Sequence, residues 1–380
     1  MAKFPNHTSK ASTLEIALSF PFLPEQNRSP RSGIYFKTQK LIGGLYKLNS
    51  IICAQQSIDV EDQGGVNVRI LLLDSTKGLH PADEDNDSSP KTPPPDPITD
   101  LPTLVRCNRP WTRIFSLESE EGETLLKSFE GFRSRFLPRA KSLETIRVPG
   151  GIGMIDVSEN TFSGSQQDKR SNRKHYSVAV GGTFDHLHAG HKLLLNMTAF
   201  MLESSSIQSK PVDRTLTIGI TGDELLRNKK FAGYMQSWDE RQKGVLDFLI
   251  SILDFSLPSH VTITIKRVSE SGPNGKAVIA RLEPDLRIRC VEISDPFGPT
   301  ITDESISALV ISAETRAGGK AVNEKRREKG WKDLEVFEVD VLDAEEEGDD
   351  EAVAVTENFT SKISSTEIRR RRSEKSQSGV

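Results

Sequence analysis

From Tyr176 onward the chain alternates short apolar runs with helix-spaced segments, and that alternation leaves few folds open to it. "YSVAVGG" reads as a strand, and "HAGHKLLLNMTAFMLES" as a helix with Leu194, Met197 and Met201 on one face. "RTLTIGIT" is the next strand, followed by the helical segment "GDELLRNKK". "SWDERQKGVLDFLISIL" is a helix whose Ser237 and Glu240 have capping-box spacing. Strands "HVTITIKRV", "LRIRCVEI" and "SALVIS", the helix "GGKAVNEKRREKGW" and the strand "DLEVFEVDVL" complete the series. The pattern predicts an α/β fold, a Rossmann-like parallel sheet with helices on both faces and right-handed crossovers. Such sheets hold ligands beyond the carboxyl ends of their strands, where the strand order reverses.

The first 158 residues read as a separate N-terminal α+β region of unassigned role. In it "VNVRILLLD" is a buried strand, "GIYFKTQKLIGGLYKLNSIIC" supplies a helix or strands, and "WTRIFSLESEEGETLLKSFEGFRSRFL" has helical spacing. Residues 75–100, rich in Pro, Asp and Ser, predict a disordered linker, and 159–175 a polar one. Residues 176–372 are then the main domain, with a flexible acidic insertion at 343–353 and a disordered tail at 373–380. All the chemical motifs lie beyond the second linker, so a fragment lacking residues 1–170 is expected to stay soluble and bind nucleotide.

A chain of 380 residues with 35% hydrophobic content and a mean hydropathy of −0.43 fits a folded core with disordered segments beside it. The net charge of −4 gives no global basic field, so no nucleic-acid partner is expected. The start, "MAKFPNHTSKASTLEIALSFPFLP", has too short an apolar core for a signal peptide, and no run is long enough for a membrane span. Cys53, Cys107 and Cys290 are few and far apart, as suits a reducing compartment. The expectation is a cytoplasmic protein with no membrane partner. The run "EIRRRRSEK" is read as a solvated helix end, with a nuclear import or RNA signal as its alternative.

The densest chemistry lies in "GGTFDHLHAGH", where the first strand becomes a helix. Gly181 and Gly182 let the backbone turn and approach a ligand closely. Thr183 offers a hydroxyl, and Asp185 can hold the loop by accepting local hydrogen bonds. His188 and His191 share a face in the first helical turn, where free N–H groups and the macrodipole favour phosphate. Imidazoles there donate to phosphate oxygens without a fixed charge. A zinc site at His186, His188 and His191 lacks the glutamate of H-E-x-x-H and a third ligand at recognisable spacing. An incidental histidine pair at a capped junction does not account for the rest of the motif. Neither a dinucleotide fingerprint nor a P-loop occurs.

At these residues the sequence resembles the H-x-G-H nucleotidyltransferases, and within them the phosphopantetheine adenylyltransferases of eukaryotic (fungal-like) type. His188–His191 match the H-x-G-H element. "TGDELLRNKK", "ERQKGVLDFL" with Arg241, "DPFGPT", "VISAETRAGGKAVN" and "KISSTEIRRR" follow in the family's order, over about half the chain. No P-loop kinase domain follows, so the bifunctional form that also phosphorylates dephospho-CoA is not expected.

The resemblance implies transfer of AMP from ATP to 4′-phosphopantetheine, giving dephospho-CoA and pyrophosphate in coenzyme A biosynthesis, with Mg²⁺ carried by the ATP phosphates and no protein-held metal. It implies catalytic roles for His191, Thr183 and Lys229. ATP would be bound by Gly181, Gly182, Phe184, His188, Arg316, Ser364, Ser365, Thr366 and Arg369. Phosphopantetheine would be bound by Thr183, Lys229 and Lys230, with Lys230 a rival to Lys229 because the segment up to Arg241 is longer than in bacterial relatives. Gly318 and Gly319 either approach adenine or begin a helix. Other coenzyme A pathway enzymes are partners to consider. Two other readings share the first motif: a nucleotidyltransferase with another acceptor (nicotinamide mononucleotide or a phospho-alcohol), and a non-catalytic nucleotide-binding scaffold. "DPFGPT" and "VISAET" argue against the first, and the joint presence of Thr183, His191, Lys229 and Ser365 against the second.

Overall fold

The computed structural model describes residues 11–20, 30–58, 65–74, 93–150, 173–205, 212–258, 263–270, 272, 274–340 and 364–377. The acidic stretch 343–353, most of both polar linkers and residues 378–380 lie outside these ranges.

The N-terminal region is built from parallel βαβ units. Strand β1 (Ser12–Phe20) pairs with β2 (Val66–Asp74), the helix α1 (Tyr35–Gln55) crosses between them, and the two-residue β3 (Ile98–Thr99) adds to β2. A short helix α2 (Leu101–Arg106) starts at Asp100, whose side chain accepts from the Thr103 N–H. The segment with helical spacing divides into β4 (Arg113–Glu118) and α3 (Glu120–Phe136), and β5 (Glu144–Pro149) returns parallel to β4. Ser119 makes the division: its hydroxyl accepts from the Gly122 N–H, and Glu120, Glu121 and Glu123 fill the first turn, where the helix dipole favours them. Helices therefore alternate with parallel strands here, giving α/β connectivity rather than segregated α+β. Residues 93–100 are ordered and not linker: Asp96 is bound by both Arg31 and Ser204.

The main sheet has seven strands in the order β12-β11-β6-β7-β10-β9-β8. In chain order they are β6 (Ser177–Gly182), β7 (Arg214–Thr221), β8 (Ile263–Ser269), β9 (Lys276–Leu282), β10 (Leu286–Ile293), β11 (Ala308–Ser312) and β12 (Glu335–Val339). Strands β12, β11, β6, β7 and β10 are mutually parallel, while β9 runs antiparallel to both β10 and β8. Strand β9, "KAVIARL", is an addition to the expected series, and it makes the sheet mixed at that edge. From β6 the chain proceeds to β7 and then β10 on one side, then returns to β11 and β12 on the other. The strand order thus reverses at β6, and the crevice at its carboxyl end is the place such sheets offer a ligand.

Helices α4 (Ala189–Met201) and α5 (Trp238–Leu253) cover one face, and α6 (Arg316–Glu328) packs on the other over a small cluster of Ala179, Ile306, Leu309, Ile311, Val322 and Leu334. Gly319 lets α6 approach closely, since a Cβ there would lie 3.3 Å from Ile311 and 3.4 Å from Val336, whereas Gly318 faces open space. The final helix, α7 (Ser365–Gln377), runs through residues 373–377, expected as tail, and buries Ser373.

Helix α4 was expected to be amphipathic. Instead every residue from Lys192 to Met201 is buried, because the N-terminal region covers its outer side. Tyr46 of α1 accepts from Asn196 (2.8 Å), Lys192 donates to Asn67 of β2 (2.9 Å), and Phe20 packs edge-on against Phe200. Arg31 binds the Leu202 carbonyl at the helix end and pairs with Asp96 at 2.6 Å. One continuous core joins Phe20, Ile42, Val68 and Phe132 to Leu195, Met201, Phe248 and Leu249. That shared core predicts that a fragment beyond residue 170 does not stay soluble alone, the reverse of the sequence expectation.

Candidate functional site

The site begins where β6 runs out. A Cβ on Gly182 would lie 3.0 Å from the Phe184 ring, so a side chain there would press on that fully buried ring. Phe184 (φ 54°) and His186 (φ 48°) both adopt left-handed backbone, which non-glycine residues hold only when their surroundings fix them. Both are fully buried, as is Asp185 between them.

Helix α4 then starts at His188, in extended backbone with no side-chain cap. Its ring folds back over Gly190 and stacks on His191 with centroids 3.9 Å apart. A Cβ at residue 190 would sit 3.3 Å from His188 Cε1, which explains the glycine between the histidines. Phe184 closes the other side of His191, centroids 5.4 Å apart. Both rings are half-buried at the carboxyl end of β6. Burial lowers both pKa values: His191 falls to about 4, and His188 well below its usual value with help from the charges of His191 and Lys192. Both are neutral at pH 7. His191 Nδ1 is buried and makes no hydrogen bond of normal geometry among the described residues, while the His186 backbone and the Asp185 carboxylate lie close enough to work against the effect of burial on the ring's pKa. The first intrahelical bond of α4 is donated by Lys192, so the N–H groups of Ala189, Gly190 and His191 remain available at the helix end.

Two buried arginines hold the loop from either side. Arg241 of α5 donates to the carbonyls of Thr183 (2.7 Å), Thr221 (2.8 Å) and Gln236 (3.0 Å), and to Asp223 at 2.6 Å. It thereby fixes the backbone that presents the half-buried Thr183. Arg369 of α7 donates to Asp185 at 2.5 Å, to the Lys230 carbonyl at 3.1 Å and to Thr366 Oγ1 at 3.1 Å. The other Asp185 oxygen accepts from the Gln236 N–H (3.0 Å), and Gln236 accepts from the His186 N–H (2.9 Å). The His186 ring meets the Tyr234 carbonyl at 3.1 Å, on a different segment from the stacked pair.

The expected site residues thus fall into three groups. Gly181, Gly182, Thr183, Phe184, His188 and His191 form the continuous floor of the crevice. Ser365 is tied to that floor by donating to the Asp185 carbonyl at 2.8 Å, while Ser364 accepts from the Glu367 N–H as the cap of α7. Arg369, expected to reach nucleotide, is 3% exposed, and each of its three guanidinium nitrogens donates to a protein acceptor: the Lys230 carbonyl, Asp185 and Thr366. Lys229, Lys230 and Arg316 are exposed. The lysines lie between two short 3₁₀ turns, Asp223–Leu226 and Ala232–Tyr234, rather than on a helix. Arg316, the first residue of α6, makes a two-pronged pair with Glu338 of β12.

Sequence reasoning left Arg241 and Asp223, both within matched motifs, without a role, and did not single out Gln236. A signal existed for Arg241: it stands on the buried stripe of α5 with Trp238, Val245 and Leu249, where a charge needs buried partners.

Residues 179–371 match the cytidylyltransferase-like family, and residues 1–154 match a domain of unknown function. The chain is 35% identical over 191 residues to an uncharacterized protein of Schizosaccharomyces pombe, covering 50% of this chain and 46% of that one. It is 32% identical over 240 residues to phosphopantetheine adenylyltransferase of Saccharomyces cerevisiae, covering 62% of each. It is 27% identical over 174 residues to phosphopantetheine adenylyltransferase of Methanothermobacter thermautotrophicus, covering 46% of this chain and 79% of that one. The chain therefore spans about half to three fifths of the length of the two fungal relatives. The family match extends over half of the sequence and contains the whole crevice, from the glycines of β6 to the serines of α7: the chain belongs to the cytidylyltransferase-like family.

Proposed function

We propose that the chain is a phosphopantetheine adenylyltransferase, transferring AMP from ATP to 4′-phosphopantetheine with release of pyrophosphate. The observation that carries this reading is the neutral, stacked His188–His191 pair at the N-terminus of α4, with a buried ring nitrogen that makes no hydrogen bond of normal geometry to the protein. The yeast and archaeal relatives bearing that activity's name support the choice of acceptor.

The attacking group is a phosphate already ionised at neutral pH, so the site needs no general base. Its work is alignment for in-line attack on the α-phosphate and stabilisation of the charge that develops there. In this reading the α-phosphate lies at the free N–H groups of α4, and His191 donates to it as a neutral ring. A neutral donor favours the more highly charged transition state without holding the ground state as firmly as a cation would. Thr183, its backbone fixed by Arg241, orients the acceptor phosphate, and Lys229 neutralises charge. The amino end of α7, with Ser364, Ser365 and Thr366, faces the β- and γ-phosphates. The divalent ion enters as part of the substrate, Mg·ATP. Asp185 is taken up by Arg369 and Gln236, and the floor otherwise offers hydroxyls and neutral imidazoles. Arg316 would leave Glu338 to meet the triphosphate; an exposed pair of that kind holds it weakly.

Residues 176–372 are read as the catalytic unit and 1–158 as a region that covers its helix layer. The three cysteines, all free and buried, suit work in the cytosol. No helix of the described residues is long and apolar enough to cross a membrane.

The test is pyrophosphate release by the full chain with ATP and one acceptor at a time. Turnover with 4′-phosphopantetheine should exceed that with nicotinamide mononucleotide or choline phosphate by at least about a hundredfold. Preference for either of the others would replace this reading by the related transferase, and release with none of them would favour the scaffold.

A further inference from the structure

Asp185 is the point where three segments far apart in sequence meet. Its carboxylate is fully buried and accepts from Arg369 of α7 and from the Gln236 N–H, and its carbonyl accepts from Ser365. Arg369 continues the connection to the Lys230 carbonyl. The histidine floor, the lysine segment and the serine end of α7 are therefore referenced to one ion pair. Helix α7 is polar along its length, and Arg369 and Ser373 are its buried residues.

We infer that the Asp185–Arg369 pair is a positioning latch for adenylyl transfer, setting the lysine segment and the α7 serines against His191. This rests on the function proposed above. It differs from the role the family resemblance implies for Arg369, which is direct contact with nucleotide. The geometry favours the latch because all three guanidinium nitrogens already donate to protein acceptors. A planar fork satisfies three acceptors in different directions, and a lysine ammonium does not reproduce it.

The two roles separate in kinetics. A latch acts on alignment, so Arg369→Gln should lower kcat by about tenfold or more while the KM for ATP moves by less than about threefold. Arg369→Lys should not rescue it. A triphosphate contact gives the opposite split, with a tenfold rise in KM for ATP, kcat nearly unchanged and substantial rescue by lysine. The variant Asp185→Asn should reproduce the kcat loss although it removes no cation. The double variant Asp185→Asn/Arg369→Gln should be no worse than the worse single, because neither charge is then left buried alone.

Trypsin cleavage after Lys229 and Lys230 in the native protein provides a readout that needs no turnover. It should quicken in both single variants, with thermal unfolding showing that the rest remains folded. If wild-type protein proves inactive with every acceptor, the function proposed above fails, and the latch is still judged by this cleavage and by affinity for a non-hydrolysable ATP analogue. Unchanged cleavage, or weakened analogue binding in Arg369→Gln with wild-type affinity in Asp185→Asn, would overturn it.

Discussion

The cations around the crevice divide into a buried collar and an exposed rim. Arg241 and Arg369 are 1% and 3% exposed, and their guanidinium groups are directed to carbonyls and carboxylates of the protein. Lys229, Lys230 and Arg316 lie at the surface, and Arg316 pairs there with the half-buried Glu338. A buried cation has had its water replaced by fixed acceptors, so moving it to a ligand would strand those acceptors. An exposed cation moves at little cost. On the function proposed above, the collar shapes the site and the rim meets the ligand, although by sequence Arg369 of the collar shares the ligand-binding role expected of Lys229, Lys230 and Arg316 of the rim.

The collar stands on a foundation that the N-terminal region completes, and removing residues 1–172 is expected to have the largest effect of any change. Each large apolar side chain uncovered on α4 and α5 would cost about 1.5–3 kcal/mol, and Arg31, Asn67 and Tyr46 would leave polar partners behind. The fragment should be insoluble, or should lose cooperative unfolding by circular dichroism. A soluble fragment that melts cooperatively and binds ATP would show the two regions to be independent.

Substitutions in collar and rim sharpen the contrast. Arg241→Met leaves the Thr183, Thr221 and Gln236 carbonyls without their donor and should destabilise the protein by about 1–3 kcal/mol in urea unfolding. Lys229→Ala and Lys230→Ala should leave stability within about 0.5 kcal/mol while lowering kcat/KM, with Lys229 the more costly loss. If Arg241→Met unfolds like wild type, or a lysine variant is the destabilised one, the division into collar and rim is wrong. A greater kinetic loss at Lys230 would shift the functional register by one residue.

A smaller effect concerns pH. His191 titrates at about 4 in the folded chain and near its ordinary 6.5 when unfolded. Between those values the unfolded chain binds more protons, so stability rises with pH across the window and is lost on acidification. His191 alone should give up about 3 kcal/mol by pH 4. Its replacement by Asn should narrow the gap to wild type when urea unfolding is compared at pH 7 and pH 5. A gap that widens toward acid would mean the ring is charged in the fold.

The alternation of elements and the strand-to-helix junction were legible because each follows from local periodicity and from glycines with a steric reason. Strand β9 is a weaker signal, a small-residue run in which Ala277, Val278, Ala280 and Leu282 are buried. The all-round burial of α4 was written in "KLLLNMTAFML", but nothing local says what covers its second face. The collar was least legible, since Asp185–Arg369 spans 184 residues and Arg241–Thr183 spans 58. Only a charge standing on an apolar stripe hints that a distant partner exists.

The central claim is that a neutral His191 at the end of α4 stabilises the transition state, and His191→Ala tests it most directly. Single-turnover rate and melting temperature should be measured together on the full chain with saturating ATP and 4′-phosphopantetheine. The rate should fall by roughly a hundredfold or more, with cooperative melting retained, as when one transition-state donor is removed. A rate equal to wild type in a folded variant would contradict that claim.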